Sequence, residues 1–235
     1  MSDARRAALT GLIDHAPTFP PASLPVPDAI DEDRRARADE HAWMLARLVW
    51  PASRLDDLEG EDRALSIVLD GPYGGDLRVE AVETRWDAGL DALHGEAYVE
   101  LPLGEGLEEK VAALAERGLR AKVRCGGAEV PQAAALGRFI AQCRDAGVPF
   151  KATAGLHHPL AAEGRHGFLN VIAACAFADE AALSGDVELD ATALRWNGRE
   201  AGAEELERIR REQLVAVGSC SFFEPVEELG ELGIL

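Results

Sequence analysis

Eight short runs of β-forming residues, several of them separated by helical patterns and bounded by Gly or Pro, constrain this chain more than any other feature. Such alternation is the pattern of βα units arranged around a parallel sheet. The runs cover residues 9–16, 44–51, 65–69, 79–85, 97–103, 120–125, 149–154 and 214–221. Helical periodicity, with apolar residues near i, i+3 and i+4, predicts helices over 29–44, 107–117, 132–146, 167–182 and 203–213. Gly118 and Gly147 follow two of these runs, where a left-handed residue commonly closes a helix before the next strand. A chain of 235 residues fits one barrel of the (β/α)8 type, the expected fold. An open doubly wound sheet is the alternative.

Two stretches depart from the repeat. Between 65 and 93 the segment Gly71-Pro72-Tyr73-Gly74-Gly75 leaves no room for a full helix between two strands, so one side of the barrel is expected to be irregular. Residues 186–198 alternate Val187, Leu189 and Ala191 with polar residues and end in Trp196-Asn197-Gly198, which suits an extra strand or hairpin. If it joined the main sheet, the count would rise to nine. The Pro-rich stretch 17–27 reads as a rigid loop laid over a surface, since Phe19 and Leu24 favour burial.

Composition limits the partners. A formal net charge of -18 argues against nucleic acid, whose backbone calls for a clustered basic surface. A small anionic substrate is still allowed, because a few convergent cations in a pocket can outweigh the global field. No apolar run approaches the ~18 to 20 residues of a membrane span, and the N-terminal residues show no long apolar secretory segment, so the cytoplasm is the expected compartment. Cys125, Cys143, Cys175 and Cys220 lack CxxC spacing and read as small core residues, with Cys125 or Cys220 a minor alternative as thiol nucleophile.

Of 24 basic residues only three are lysine: Lys110, Lys122 and Lys151. Two of them lie inside apolar strands, where a lysine can lose its proton and act as base or amine nucleophile, as arginine cannot. In a barrel, strand residues alternate between the helix layer and the interior, and polar interior groups gather toward the C-terminal mouth. Applied strand by strand, the rule turns Phe150, Ala152 and Ala154 toward the helices and Lys151 and Thr153 inward. It likewise turns Ala121, Val123 and Cys125 outward and Lys122 and Arg124 inward. Tyr98, Glu100, Glu83 and Arg85 join the interior, with Asp14 and Arg47 as further candidates from the first two strands.

The expected catalytic set is therefore Lys151 as nucleophile or base, Lys122 as the neighbour that lowers its pKa, and Glu100 and His157 as proton movers. Arg124, Thr153, His158, Ser219, Ser221, Asp14, Arg47 and Glu83 are expected to bind substrate. The turns at Cys125-Gly126-Gly127 and Gly218-Ser219-Cys220-Ser221 offer backbone N–H groups for an anion. No cofactor is required by this set. One alternative is a divalent-metal enzyme with His157, Glu100 and Glu83 as ligands. Another is a ligand-binding or scaffold protein whose 65–93 side and apolar tail, 226–235, meet a partner. A homo-oligomer is compatible with any of these, and an inert ion-pair network filling the barrel would also explain the charges.

Lys151-Ala-Thr-Ala-Gly-Leu156 resembles the Lys-Thr-Ser-Thr-Gly-Phe strand of deoxyribose-phosphate aldolase, a class I barrel aldolase in which that lysine forms the Schiff base. Lys122-Val-Arg-Cys-Gly-Gly127 resembles the same family's second lysine strand, which ends in Gly-Gly, with the order of the two strands reversed here. The resemblance covers six residues in each strand and implies a lyase working through a strand-end lysine. Segments 11–16, 150–159 and 218–225 also resemble an uncharacterised bacterial protein family, which implies no activity.

Overall fold

The protein is described here from a computed structural model, which covers residues 3–72, 77–127 and 130–235. The chain begins with α1 (Ala4–Leu9), β1 (Ile13–His15), α2 (Val26–Ala38), β2 (Leu45–Pro51), β3 (Leu65–Val68), β4 (Val79–Arg85) and β5 (Ala97–Glu100). It continues with α3 (Leu107–Arg117), β6 (Arg120–Arg124), α4 (Ala133–Asp145), β7 (Phe150–Thr153) and α5 (Phe168–Phe177). A three-strand insert, β8 (Val187–Leu189), β9 (Ala193–Trp196) and β10 (Arg199–Gly202), precedes α6 (Ala203–Glu212), β11 (Leu214–Ser219) and α7 (Phe223–Glu231). Strands β1 to β7 and β11 close into a barrel in sequence order, every neighbouring pair parallel. This is the (β/α)8 arrangement expected from the alternating pattern.

The irregular side falls where it was expected. Among the described residues no α-helix lies between β2 and β5; a 3-10 segment, Ala52–Leu58, follows β2 instead. Positions 73–75 of the Gly-rich segment lie outside the described residues. The outer faces of β2 and β3 still need an apolar cover, and Leu55 and Leu58 of the 3-10 segment with Ala29 of α2 supply it against Leu48, Trp50, Leu65 and Ile67. The remaining strands bury their outer faces in the main cluster, where Phe139 of α4 meets Phe150 of β7 edge to face at 5.2 Å.

Several boundaries differ from the sequence reading, each for a local reason. The 9–16 run is a strand only over Ile13–His15. Asp3 caps a preceding helix through the Arg5 N–H, and Gly11 takes a positive φ of 55° at the turn between them. Helix α2 starts earlier, after Pro25, and stops at Ala38, because Asp39 is extended and its carboxylate accepts the His41 N–H. Helix α5 stops at Phe177, where Ala178 is left-handed and Asp179 caps a separate 3-10 turn. Residues 186–198 do form strands, but in an antiparallel sheet of their own, so the barrel keeps eight. Part of the apolar tail folds back as α7, with Leu229 and Ile234 buried in the main cluster. Among the described residues no helix is long and apolar enough to cross a membrane.

Candidate active site

Inside the barrel, five charged side chains from five strands form one chain of contacts. Lys151 Nζ of β7 lies 2.5 Å from Asp14 Oδ2 of β1 and 2.5 Å from Glu83 Oε1 of β4. The other oxygen of Glu83 accepts from Lys122 Nζ of β6 at 3.1 Å, and Lys122 reaches Glu100 Oε2 of β5, also at 3.1 Å. Strand register accounts for the convergence, since Glu100 pairs with Lys122 and Lys122 with Lys151 across adjacent strands. Ser66 Oγ donates to Glu83 at 2.7 Å, the Arg47 N–H donates to Asp14 at 3.1 Å, and the Tyr98 ring centroid lies 5.5 Å from Lys151 Nζ. Each of these five charges thus has a partner, as its desolvation demands.

The two lysines are not equivalent. Lys151 is 0% exposed and Lys122 7%. Burial pulls the Lys151 ammonium toward losing its proton, yet the carboxylates of Asp14 and Glu83 outweigh burial and hold it above its ordinary value. This corrects the expectation of a Lys151 pKa lowered by Lys122: the second lysine faces Lys151 across Glu83, which screens the pair. Burial also works against the Glu83 carboxylate, and the two ammonium groups overturn it, keeping Glu83 well below the ordinary carboxylate range.

A cavity of about 690 Å³ opens above this chain at the C-terminal mouth of the barrel. Among its lining residues are Glu83, Glu100, Lys122, Arg124, Lys151, Thr153 and His157. Arg85, Asp87 and Asp70 add charge at the rim, and Phe19 and Pro20 from the Pro-rich loop line the cavity as well. Four cations therefore face four carboxylates, an even local balance in a chain of net charge -18. Arg85 and Arg124 make no ion pair among the described residues, whereas Lys122 and Lys151 each hold two carboxylates.

Other expected residues lie elsewhere. Arg47 belongs with Glu80, Glu96, Arg120 and Tyr98 in a layer of polar contacts built from the N-terminal portions of the strands, its Nη1 2.8 Å from Glu96. Ser219 is buried and donates to the Ser221 carbonyl, while the Ser221 hydroxyl accepts the Glu224 N–H at the start of α7. His158 pairs with Glu228 at 2.5 Å. None of Arg47, His158, Ser219 and Ser221 lines the cavity. Asp14 acts beneath it, through Lys151. The proposed ligand set of His157, Glu100 and Glu83 does not form a group; among the described residues the cluster with metal-ligand spacing is His158, Glu224 and Glu228.

One pairing was not expected. His157 Nδ1 lies 3.9 Å from Cys220 Sγ, and both line the cavity. Burial lowers the His157 pKa and raises that of the Cys220 thiol, so the pair rests as neutral imidazole and neutral thiol. Strand alternation could not find it, since both residues lie on loops beyond their strands. The other cysteines are free and buried, and burial pushes the Cys125 thiol up to about 12.

Ala154 corrects another expectation: it lines the cavity instead of the helix layer, because strand geometry ends at Thr153 and Ala154 takes a positive φ of 57°. Gly155 follows at φ 77°, and a Cβ there would lie 3.0 Å from the Gly126 Cα. The two loops that follow the Lys122 and Lys151 strands thus touch backbone to backbone. Gly155→Ala is expected to lower stability by about 1–2 kcal/mol from the left-handed backbone alone, with the contact adding to it. Ala154→Gly, by contrast, should leave the melting temperature unchanged or raise it, because glycine relieves the same strain. Thermal denaturation of the two variants checks the opposite signs.

Comparison of the sequence with protein-family models and with curated proteins found no match. The chemistry of the cavity is therefore the ground on which function is assigned.

Proposed function

We propose that the chain is a barrel lyase or aldolase-type enzyme acting on a small anionic carbonyl compound, phosphorylated or carboxylated, through a strand-end lysine. The observation that carries this reading is an amine lining the cavity, Lys122, paired with two carboxylates, of which Glu100, the more exposed, is placed to take its proton. A polar cavity at the C-terminal mouth of a barrel is also where such folds hold their substrates, and the two short aldolase-like strands supply the lysines.

Lys122 suits the nucleophile's role better than Lys151, because Lys151 is sealed between the buried carboxylates of Asp14 and Glu83, whereas Lys122 keeps some exposure and one of its two partners, Glu100, is partly open. Lys151 then acts as the fixed positive charge that keeps Glu83 ionised. In the proposed step the Lys122 nitrogen attacks the substrate carbonyl carbon and the π pair moves to oxygen. Proton transfer through Glu100 expels that oxygen as water and leaves an iminium ion. The iminium accepts the electron pair released when the neighbouring carbon–carbon bond breaks. Arg85 and Arg124 hold the anionic group, and Thr153 orients the β-hydroxyl. His157, a neutral imidazole in the same cavity, takes the proton of that hydroxyl as the departing aldehyde forms and returns it to the enamine carbon, after which water hydrolyses the iminium to free Lys122.

Borohydride reduction tests the proposal, since hydride delivered to the iminium carbon fixes the adduct as a secondary amine. With glyceraldehyde 3-phosphate, pyruvate and acetaldehyde as probes, at least one should add the mass of its reduced adduct to the intact protein. Arg124→Ala should raise the concentration of anionic probe needed by roughly tenfold or more, the scale of one lost charge-assisted contact. Absence of added mass with every probe would overturn the reading.

A further inference from the structure

The barrel cavity does not end at its rim. A second cavity of about 620 Å³ adjoins it and shares four of its residues, Arg85, Asp87, Glu100 and Arg124. Beyond these the lining changes character: Trp86, Leu101, Leu103, Val130 and Pro131 form an apolar groove between the segments that follow β4, β5 and β6. The groove is built rather than incidental. The buried His166 holds one wall through its Nε2 contact with the Pro131 carbonyl at 2.7 Å, just before α4 begins. The Leu101 N–H anchors another to the Lys122 carbonyl at 3.0 Å, tying the groove floor to the strand that carries the reactive amine. Val130, at 42% exposure, is one of two large hydrophobic residues that the described residues leave so open to solvent.

We infer that this groove receives the apolar tail of the substrate, so that the substrate class is a carbonyl compound whose anionic group sits at Arg85 and Arg124 and whose hydrocarbon or aryl chain runs outward past them. The inference rests on the carbonyl reading of the barrel cavity and adds the part of the molecule that reading leaves undefined. Three features favour the substrate's own tail as occupant over a separate partner. The groove is continuous with the reactive cavity. The two guanidinium groups at the junction give an anion a place to divide a polar end from an apolar one. The size falls within the range of about 300–1,000 Å³ typical of small-molecule pockets. An acid with only a short chain would leave these apolar walls in water.

Calorimetric titration with sodium butanoate, hexanoate and octanoate tests the groove without requiring any reaction, because the carboxylate can sit on the arginine pair whether or not a carbonyl is present. Each buried methylene should tighten binding about fourfold, which makes octanoate on the order of 10²-fold tighter than butanoate. Val130→Asn, a neutral substitution at an exposed position that should not disturb folding, is expected to remove most of that difference. Leu103→Asn is expected to act in the same direction from the opposite wall. Affinities that do not rise with chain length, or a length dependence that survives in both variants, would overturn the inference. Failure here with successful borohydride trapping removes the tail site and keeps the carbonyl chemistry. Length-dependent binding without trapping does the reverse.

Discussion

Lys151→Met is expected to lower the folding stability by about 3–5 kcal/mol, the usual cost of removing one partner from a buried ion pair. For a domain of this size that corresponds to a fall in melting temperature of roughly 6–20 °C. Methionine fills much the same volume, so packing is not the main loss. The damage lies in Asp14, whose one ion-pair partner among the described residues is Lys151 and whose side chain has no exposure, whereas Glu83 keeps Lys122. Adding Asp14→Asn to Lys151→Met should therefore restore more than half of the lost stability. Lys122→Met, by contrast, should cost less, about 1–3 kcal/mol, since Glu83 retains Lys151 and Glu100 is partly open to solvent. Equal losses for the two lysine variants would mean that the burial difference between them has no energetic weight.

The pH dependence of stability follows from the same contacts. The Glu83 pKa is lowered by folding, so its contribution is present above the ordinary value of 4.5 and is lost as pH falls through the lowered one. The Lys151 pKa is raised, so its contribution is complete below the ordinary value of 10.5 and is lost as pH rises through the raised one. The stability difference between the natural protein and Lys151→Met should accordingly persist up to about pH 10 and shrink as pH rises beyond it. Denaturant titrations across that range give the difference directly. His15 adds a separate feature in both proteins, so it cancels in the comparison. Burial disfavours its charged form, but Asp33 and Glu32 overturn this and raise its pKa above 6.5, so its contribution declines as pH rises through the raised value.

How far the sequence reaches can be judged residue by residue. Period-two alternation placed Lys122, Lys151, Glu83 and Glu100 in one interior because a closed parallel barrel leaves each strand only two faces. The same rule says nothing about height along the barrel axis, so it could not separate Arg47, in the layer with Glu80 and Glu96, from Arg124 at the mouth. Height depends on the stagger between strands, which is set by pairings such as Glu100 with Lys122 that no local pattern records. Alternation also lapses where a strand ends. Ala154 turns into the cavity for that reason, and His157 and Cys220 meet only because two loops fold toward each other. The scarcity of lysine drew attention to the right strands but could not tell which of the two ammonium groups would be fully buried.

The central claim is that a barrel amine at Lys122, flanked by Glu83 and Glu100, forms a covalent adduct with a carbonyl substrate while Lys151 remains a charge-holding group. Peptide mapping of the borohydride-reduced protein tests it most directly, with Lys122→Arg and Lys151→Arg as companions that keep the positive charge. The expected result is an adduct on Lys122, retained at least in part in Lys151→Arg and absent from Lys122→Arg. An adduct on Lys151, or one that persists undiminished when Lys122 is arginine, would contradict the account.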